Sequence, residues 1–235
     1  MKRAIALIEL IFAIVVIGIT LLAVPNLLAT TTKASSNAIT QEAISNGASH
    51  LAMILTQYWD EQSIQAYDNP ILYVTSSNSM LQEAKDSFNN SLGRRIGSND
   101  ETPRRFAKDK FGNKIYATTP TNFGLDGGET IANDIDDYAN TTYTLVKREE
   151  ASIAIGEYKD TKVNISTKVY YISDNTMHNR FNVTFNNPFN NKVNNSTNIK
   201  AIKVTITSLN DANKKIVLNG FSCNIGSQKL RRRDF

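Results

Sequence analysis

The side chains able to do covalent chemistry are few. The chain of 235 residues holds two histidines and one cysteine, which leaves little for a nucleophile with a paired base. No Gly-x-Ser-x-Gly, His-Glu-x-x-His, P-loop or Cys-x-x-Cys spacing occurs, so the chain reads as a non-enzyme. His50 lies on a helical pattern with only His178 to pair with, which places it at a surface or groove rather than as a metal ligand. Cys223 cannot close an intrachain disulfide and reads as a small packed residue in a strand.

Two charged blocks offer weaker chemistry. Residues 126–137 carry five acids, Asp126, Glu129, Asp134, Asp136 and Asp137, and no base. They lack the spacing of an EF-hand, so calcium held by Asp126, Asp134 and Asp136 rests on composition alone, and no metal or cofactor is assigned. Residues 94–114 carry seven bases (Arg94, Arg95, Arg104, Arg105, Lys108, Lys110, Lys114) against three acids. With Arg231, Arg232 and Arg233 they offer cations to DNA phosphates. Aromatic interleaving is thin, limited to Phe106, Phe111 and Tyr116, so direct DNA contact is not favoured. Both blocks are expected to be solvated loops.

The acid that matters most is Glu9. It is the single charge in an apolar run from Ile5 to Ala29. About 20 apolar residues cross a bilayer as a helix, so this run is long enough. Lys2 and Arg3 precede it and Lys33 is the only base close behind, which places the N-terminus in the cytoplasm and the rest outside. A cleaved secretory signal fits poorly: the run is too long, holds an acid near its start, and is followed only by Thr32-Lys33-Ala34 as a cleavage candidate. A carboxylate in the bilayer costs ~2.5–3.5 kcal/mol on insertion scales, and such residues are usually paired.

The segment Leu7-Ile8-Glu9-Leu10, with the basic leader before it, Gly18 nine residues after Glu9, and Pro25 beyond, resembles the start of type IV pilins and type II secretion pseudopilins. The resemblance covers roughly residues 1–30. It is specific because leader, Glu and Gly must all be in phase. Two details differ: Ala4 stands where the family usually has Gly, and Pro25 falls one residue earlier than in many pilins.

The resemblance implies that a prepilin peptidase cuts between Ala4 and Ile5 and methylates the new amino terminus at Ile5. It also implies that Glu9 pairs with the terminal amine of a neighbouring subunit, which offsets its burial. Gly18 and Pro25 then mark where the helix bends, since Pro25 lacks an N–H and crowds the carbonyl of Leu21. A kinked membrane helix without any fibre accounts for Pro25 equally well.

The elements that must carry these residues follow from periodicity. Ile44, Ala48, Leu51, Leu55 and Tyr58 recur at spacings of 4, 3, 4 and 3, one face of a helix widened by Ala52 and Trp59. One helix from about residue 5 to 62 is expected, stopped before Asp68-Asn69-Pro70. Met80–Asn90 reads as a short helix within a variable region. From Thr141 the period becomes two, with strands at Tyr143–Arg148, Ser152–Tyr158, Lys162–Ser173, Arg180–Phe185, Ile199–Ser208 and Lys215–Cys223. Short connections such as Asn210-Asp211-Ala212-Asn213 imply an antiparallel meander. The Asn-rich stretch Asn186–Asn198 is expected to be an exposed loop. The last two strands resemble the closing strands of minor pseudopilins more weakly.

The expected architecture is α+β: leader 1–4, membrane half of the helix 5–29, amphipathic half 30–62, variable region 63–140, and antiparallel sheet 141–235. The resemblance implies a structural subunit of a pilus or pseudopilus serving type II secretion, a type IV pilus or DNA uptake. Its implied partners are other such subunits, the prepilin peptidase and the bacterial inner membrane, with the C-terminal domain in the periplasm. The chain is longer than the usual major subunit, which favours a minor role. The competing expectation is a single-pass inner-membrane protein with a periplasmic ligand-binding domain, which would keep Met1 and have no need of Glu9.

Overall fold

The computed structural model describes residues 2–65, 69–147, 161–174, 187–208 and 215–227. The expected strands Ser152–Tyr158 and Arg180–Phe185, the turn 210–213, Asp68, His178 and Arg231–Arg233 lie outside the described residues. The chain is α+β and divides into two compact units, Met1–Asn46 and Gly47–Phe235.

The first unit is helix α1, which runs Lys2–Leu55 and so continues into the second. Its apolar residues are not confined to one face. Ile8, Leu10, Phe12, Ile14, Val16, Ile19, Leu21, Val24 and Leu28 are all exposed. Such a helix needs an apolar surrounding, because each large side chain forgoes ~1 kcal/mol or more while in water. It is long and apolar enough to cross a membrane. Its threonine hydroxyls are satisfied locally. Thr20 Oγ1 donates to Ile17 O at 2.9 Å, Thr30 to Leu27 O at 2.8 Å, and Thr32 to Leu28 O at 2.9 Å. The helix continues through Gly18 and Pro25 without a break.

The second unit is built on antiparallel strands in the order β3-β4-β6-β7. These are β3 (Thr142–Lys147), β4 (Thr161–Ile172), β6 (Ile199–Ser208) and β7 (Lys215–Cys223). A two-residue β5, Lys192–Val193, pairs with the end of β4. The period-two pattern sets one face inward. Val163, Ile165, Val169 and Tyr171 of β4 and Ile202, Val204 and Ile206 of β6 are buried there. Residues Gly47–Leu55 of α1 lie on this face: Gly47 meets Ile206 and Leu218, and Leu51 meets Gly220.

That contact corrects the expected helix face. From Gly47 to Leu55 the buried positions are Gly47 and Ile54, with Leu51 half-buried, whereas Ile44, Ala48, Leu55 and Tyr58 are exposed. The register is set by close backbone approach at Gly47 and Gly220, not by the bulkiest apolar stripe. The helix also ends at Leu55, short of residue 62. Tyr58 O is taken by Ile135 N at 3.0 Å. Asp60 then opens α2, Glu61–Gln65, by accepting Gln62 N on its carboxylate at 3.1 Å and Ser63 N on its carbonyl at 2.8 Å.

Met80–Asn90 is not helical. After a 3₁₀ turn at Ser79–Leu81 comes a hairpin of β1, Glu83–Lys85, and β2, Ser91–Arg95. The carboxylate of Asp86 accepts Phe88 N at 2.9 Å and Asn90 N at 2.8 Å, and Asn89 takes the left-handed region at φ 66°. Local side-chain bonds of this kind outcompete a helix. Asp109 repeats the device on Phe111 N and Asn113 N, with Gly112 at φ 85°. The recurring Asp-x-Phe-Asn/Gly-Asn is therefore one turn used twice.

The Asn-rich stretch is exposed at Asn187, at 190–192 and at 194–195, as expected, and is corrected only at its end. Pro188–Asn190 is a 3₁₀ turn, and Ser196, Thr197 and Asn198 are buried. Asn198 Nδ2 donates to Asp174 Oδ2 at 2.6 Å, and Asn224 bridges Leu72 N, Leu72 O and Asn198 Oδ1 at 2.7–3.1 Å. These amides satisfy backbone groups that a strand ladder would otherwise take.

Candidate functional site

Two places combine unusual chemistry with defined geometry. The first is the start of α1. Ala4 and Ile5 fall on its backbone, and Glu9, Gly18 and Pro25 lie on the same helix. Glu9 is exposed and, among the described residues, has no ion-pair partner in its own chain. A Cβ added at Gly18 would meet nothing within 4 Å. From Ile8 to Ala29 the described side chains therefore present an uncovered apolar surface interrupted by one acid.

The second place is inside the sheet unit. Lys200, at the start of β6, is fully buried. Its ammonium nitrogen lies 2.8 Å from Asp60 Oδ2, 2.6 Å from Asp136 Oδ1, and donates to Trp59 O at 2.7 Å. The rings of Trp59, Phe123 and Tyr171 stand 4.1, 5.4 and 5.5 Å from it. Cation–π attraction adds to the ion pairs and the rings keep water out.

Asp60 is well held: beyond Lys200 and Gln62 N, it accepts Thr118 N at 2.9 Å and Thr118 Oγ1 at 3.0 Å. Asp136 is not: apart from the Lys200 ion pair, neither of its carboxylate oxygens has a hydrogen-bond donor among the described residues. Burial pushes the Asp136 carboxyl well above the usual range, against the opposing pull of Lys200. Asp134 is also buried; desolvation, only partly countered by Lys200, pushes it up to about 7. Asp137 caps this turn, accepting Asn133 N at 2.9 Å, while its own N–H donates to Asp134 Oδ1 at 3.0 Å.

The acidic block 126–137 is therefore no solvated loop in its second half. Asp134, Asp136 and Asp137 are buried, and Asp126 is left exposed. Among the described residues no group of three or more His, Cys, Asp or Glu is arranged to hold a metal ion. The basic block is also partly used internally. Arg94 pairs with Asp100, half-buried Arg95 donates to Asn198 and Asn224, Arg105 donates to Leu92 O, and Lys108 pairs with Glu83 at 3.2 Å.

His50 is half-buried. Its Nε2 lies 2.9 Å from Thr167 Oγ1, with Tyr138 and Tyr143 edge-on, and desolvation lowers its pKa. Cys223 is half-buried at the end of β7, and burial raises its thiol pKa.

The role of Lys200 was missed in the sequence, although one signal was available. It shares strand parity with Ile202, Val204 and Ile206, so the alternation that buries them also turns Lys200 inward. A lysine on the core face requires buried acids nearby, and Asp60, Asp134 and Asp136 are those acids.

Comparison with family models, with curated proteins and with solved structures finds no match.

Proposed function

We propose that this chain is a membrane-anchored structural subunit of a pilus or pseudopilus, in which α1 joins neighbouring copies and the sheet unit is displayed. The observation that carries the reading is the apolar run of α1 up to Ala29: its described side chains are exposed on all sides, Glu9 is its one acid, and a basic leader stands in phase with it. A lipid bilayer covers such a surface before assembly, and other helices of the same kind cover it afterwards. A neighbour's amino terminus then neutralises Glu9 in a low-dielectric setting. The reading assigns no enzymatic step to this chain.

The N-terminal peptide of the chain, isolated from membranes and sequenced by mass spectrometry, tests it. A mature chain beginning at methylated Ile5 is the expected result. An intact Met1 would instead favour a single-pass envelope protein. Glu9→Leu should leave membrane insertion intact and abolish incorporation into fibres. Equal incorporation of Glu9→Leu and parent would refute the assembly role.

A further inference from the structure

We propose that Lys200 and Asp136 are the two halves of an intramolecular amide, a covalent cross-link from Nζ of Lys200 to Cγ of Asp136 formed by the folded chain itself. This inference is independent of the fibre reading, since all the groups it uses lie in the sheet unit.

The reaction needs a free amine, a neutral carboxylic acid held against it, a proton acceptor and no water. The cluster supplies each. Nζ sits 2.6 Å from Asp136 Oδ1, and two of its hydrogens have fixed acceptors, Trp59 O at 2.7 Å and Asp60 Oδ2 at 2.8 Å. With those two positions occupied, the remaining position on the nitrogen is left for Asp136. Placing reacting groups in such contact removes most of the entropic barrier to their union.

Asp136 is the electrophile and Asp60 the proton acceptor, because their surroundings differ. Asp60 is fixed by three donors besides Lys200, from Thr118 N, Thr118 Oγ1 and Gln62 N. Such donors hold the side chain in one orientation, with Oδ2 turned to Nζ of Lys200. Among the described residues no such donor reaches Asp136, and its burial favours the neutral acid, the form an amine attacks. Asp134, buried alongside with Oδ2 unpartnered among the described residues, is a further station for a proton. Proton transfer from the ammonium to a carboxylate within the cluster yields the free amine and the neutral acid together.

The balance is simple. The nitrogen–Cγ bond forms and the Cγ–OH bond of Asp136 breaks. One amine proton passes through Asp60 to the departing hydroxyl, which leaves as water. Nothing is oxidised or reduced. Trp59, Phe123 and Tyr171 close the site against bulk water, which would reverse the step.

Intact-mass measurement of the full chain, purified in detergent, is the test. The expected mass is one water below that of the mature sequence, with a protease digest giving one branched peptide that contains both Asp136 and Lys200. Asp60→Asn keeps the side-chain volume, removes the proton acceptor, and should restore the full mass. A parent chain of full mass with a linear peptide spanning Lys200 overturns the proposal. Loss of water mapped to any other pair of residues overturns it equally. N-terminal processing is read from a separate peptide, so the two readings fail independently.

Discussion

Replacing Gly47 by alanine tests how the helix meets the sheet. A Cβ there would lie 2.3 Å from Ile206 Cδ1, 3.0 Å from Ile206 Cγ1 and 3.3 Å from Leu218 Cδ1. Carbon atoms pack at ~3.5–4.0 Å, so the first overlap exceeds ~1 Å. Ile206 is buried in the sheet core and cannot swing into solvent. Overpacking of this kind costs ~1–3 kcal/mol, and the helical preference of Ala over Gly returns ~1 kcal/mol. Gly47→Ala should therefore lose about 0–2 kcal/mol. Ile206→Val removes the clashing δ carbon at a cost of ~0.5–1.5 kcal/mol. In that background Gly47→Ala should become neutral or stabilising, a favourable coupling of ~1–2 kcal/mol between the two sites. Urea unfolding of the full chain in detergent, followed by the fluorescence of its one tryptophan, Trp59, measures all four species. Additivity within ~0.5 kcal/mol, or stabilisation by Gly47→Ala alone, would refute the close-approach account.

The buried charges and amides give three further expectations. Lys200→Met keeps the volume but removes the nitrogen that would form the cross-link and strands Asp60 and Asp136 without the partner that the unlinked chain gives them. The loss should be ~3–5 kcal/mol at neutral pH, a fall in Tm of ~6–20 °C, and an unchanged Tm would contradict it. Asp134 has its pKa raised from 3.8 to about 7, so the folded state binds a proton that the unfolded state releases. Stability from this group is complete below pH 3.8 and is lost as pH rises to about 7, by up to ~4 kcal/mol. Asp134→Asn should flatten that slope relative to the parent, and parallel profiles in calorimetry between those pH values would dismiss the assignment. Asn224→Ala orphans the N–H and carbonyl of Leu72, costing ~1–3 kcal/mol for each group; hydrogen exchange at Leu72 should accelerate, and unchanged protection there would exclude the bridge.

Periodicity made the long strands legible. The expected Lys162–Ser173, Ile199–Ser208 and Lys215–Cys223 agree with β4, β6 and β7 to within a residue, because alternate burial leaves a clean period of two. The helix was legible as an element but not in its register, since the residue that fixes the contact, Gly47, has no side chain for an apolar pattern to detect. Residues 80–90 misled because Asp86 and Asn89 act through local bonds that helical periodicity ignores. The acids at 134–137 read as solvated because their counter-charge, Lys200, is distant in sequence and meets them only once β6 is paired. The apolar run holding Glu9, Gly18 and Pro25 was legible directly, since a membrane-length helix needs no partner in its own chain to be recognised.

The grip of Lys200 on Trp59 O and Asp60 has a mechanical consequence. Tension arriving along the chain just beyond Leu55 is handed to β6, an interior strand laddered to β4 through ten residue pairs and to β7 through nine. A load delivered to an edge could peel one ladder at a time. Delivered to an interior strand, it is opposed by two ladders together, so the anchor point is also the part of the sheet hardest to unzip.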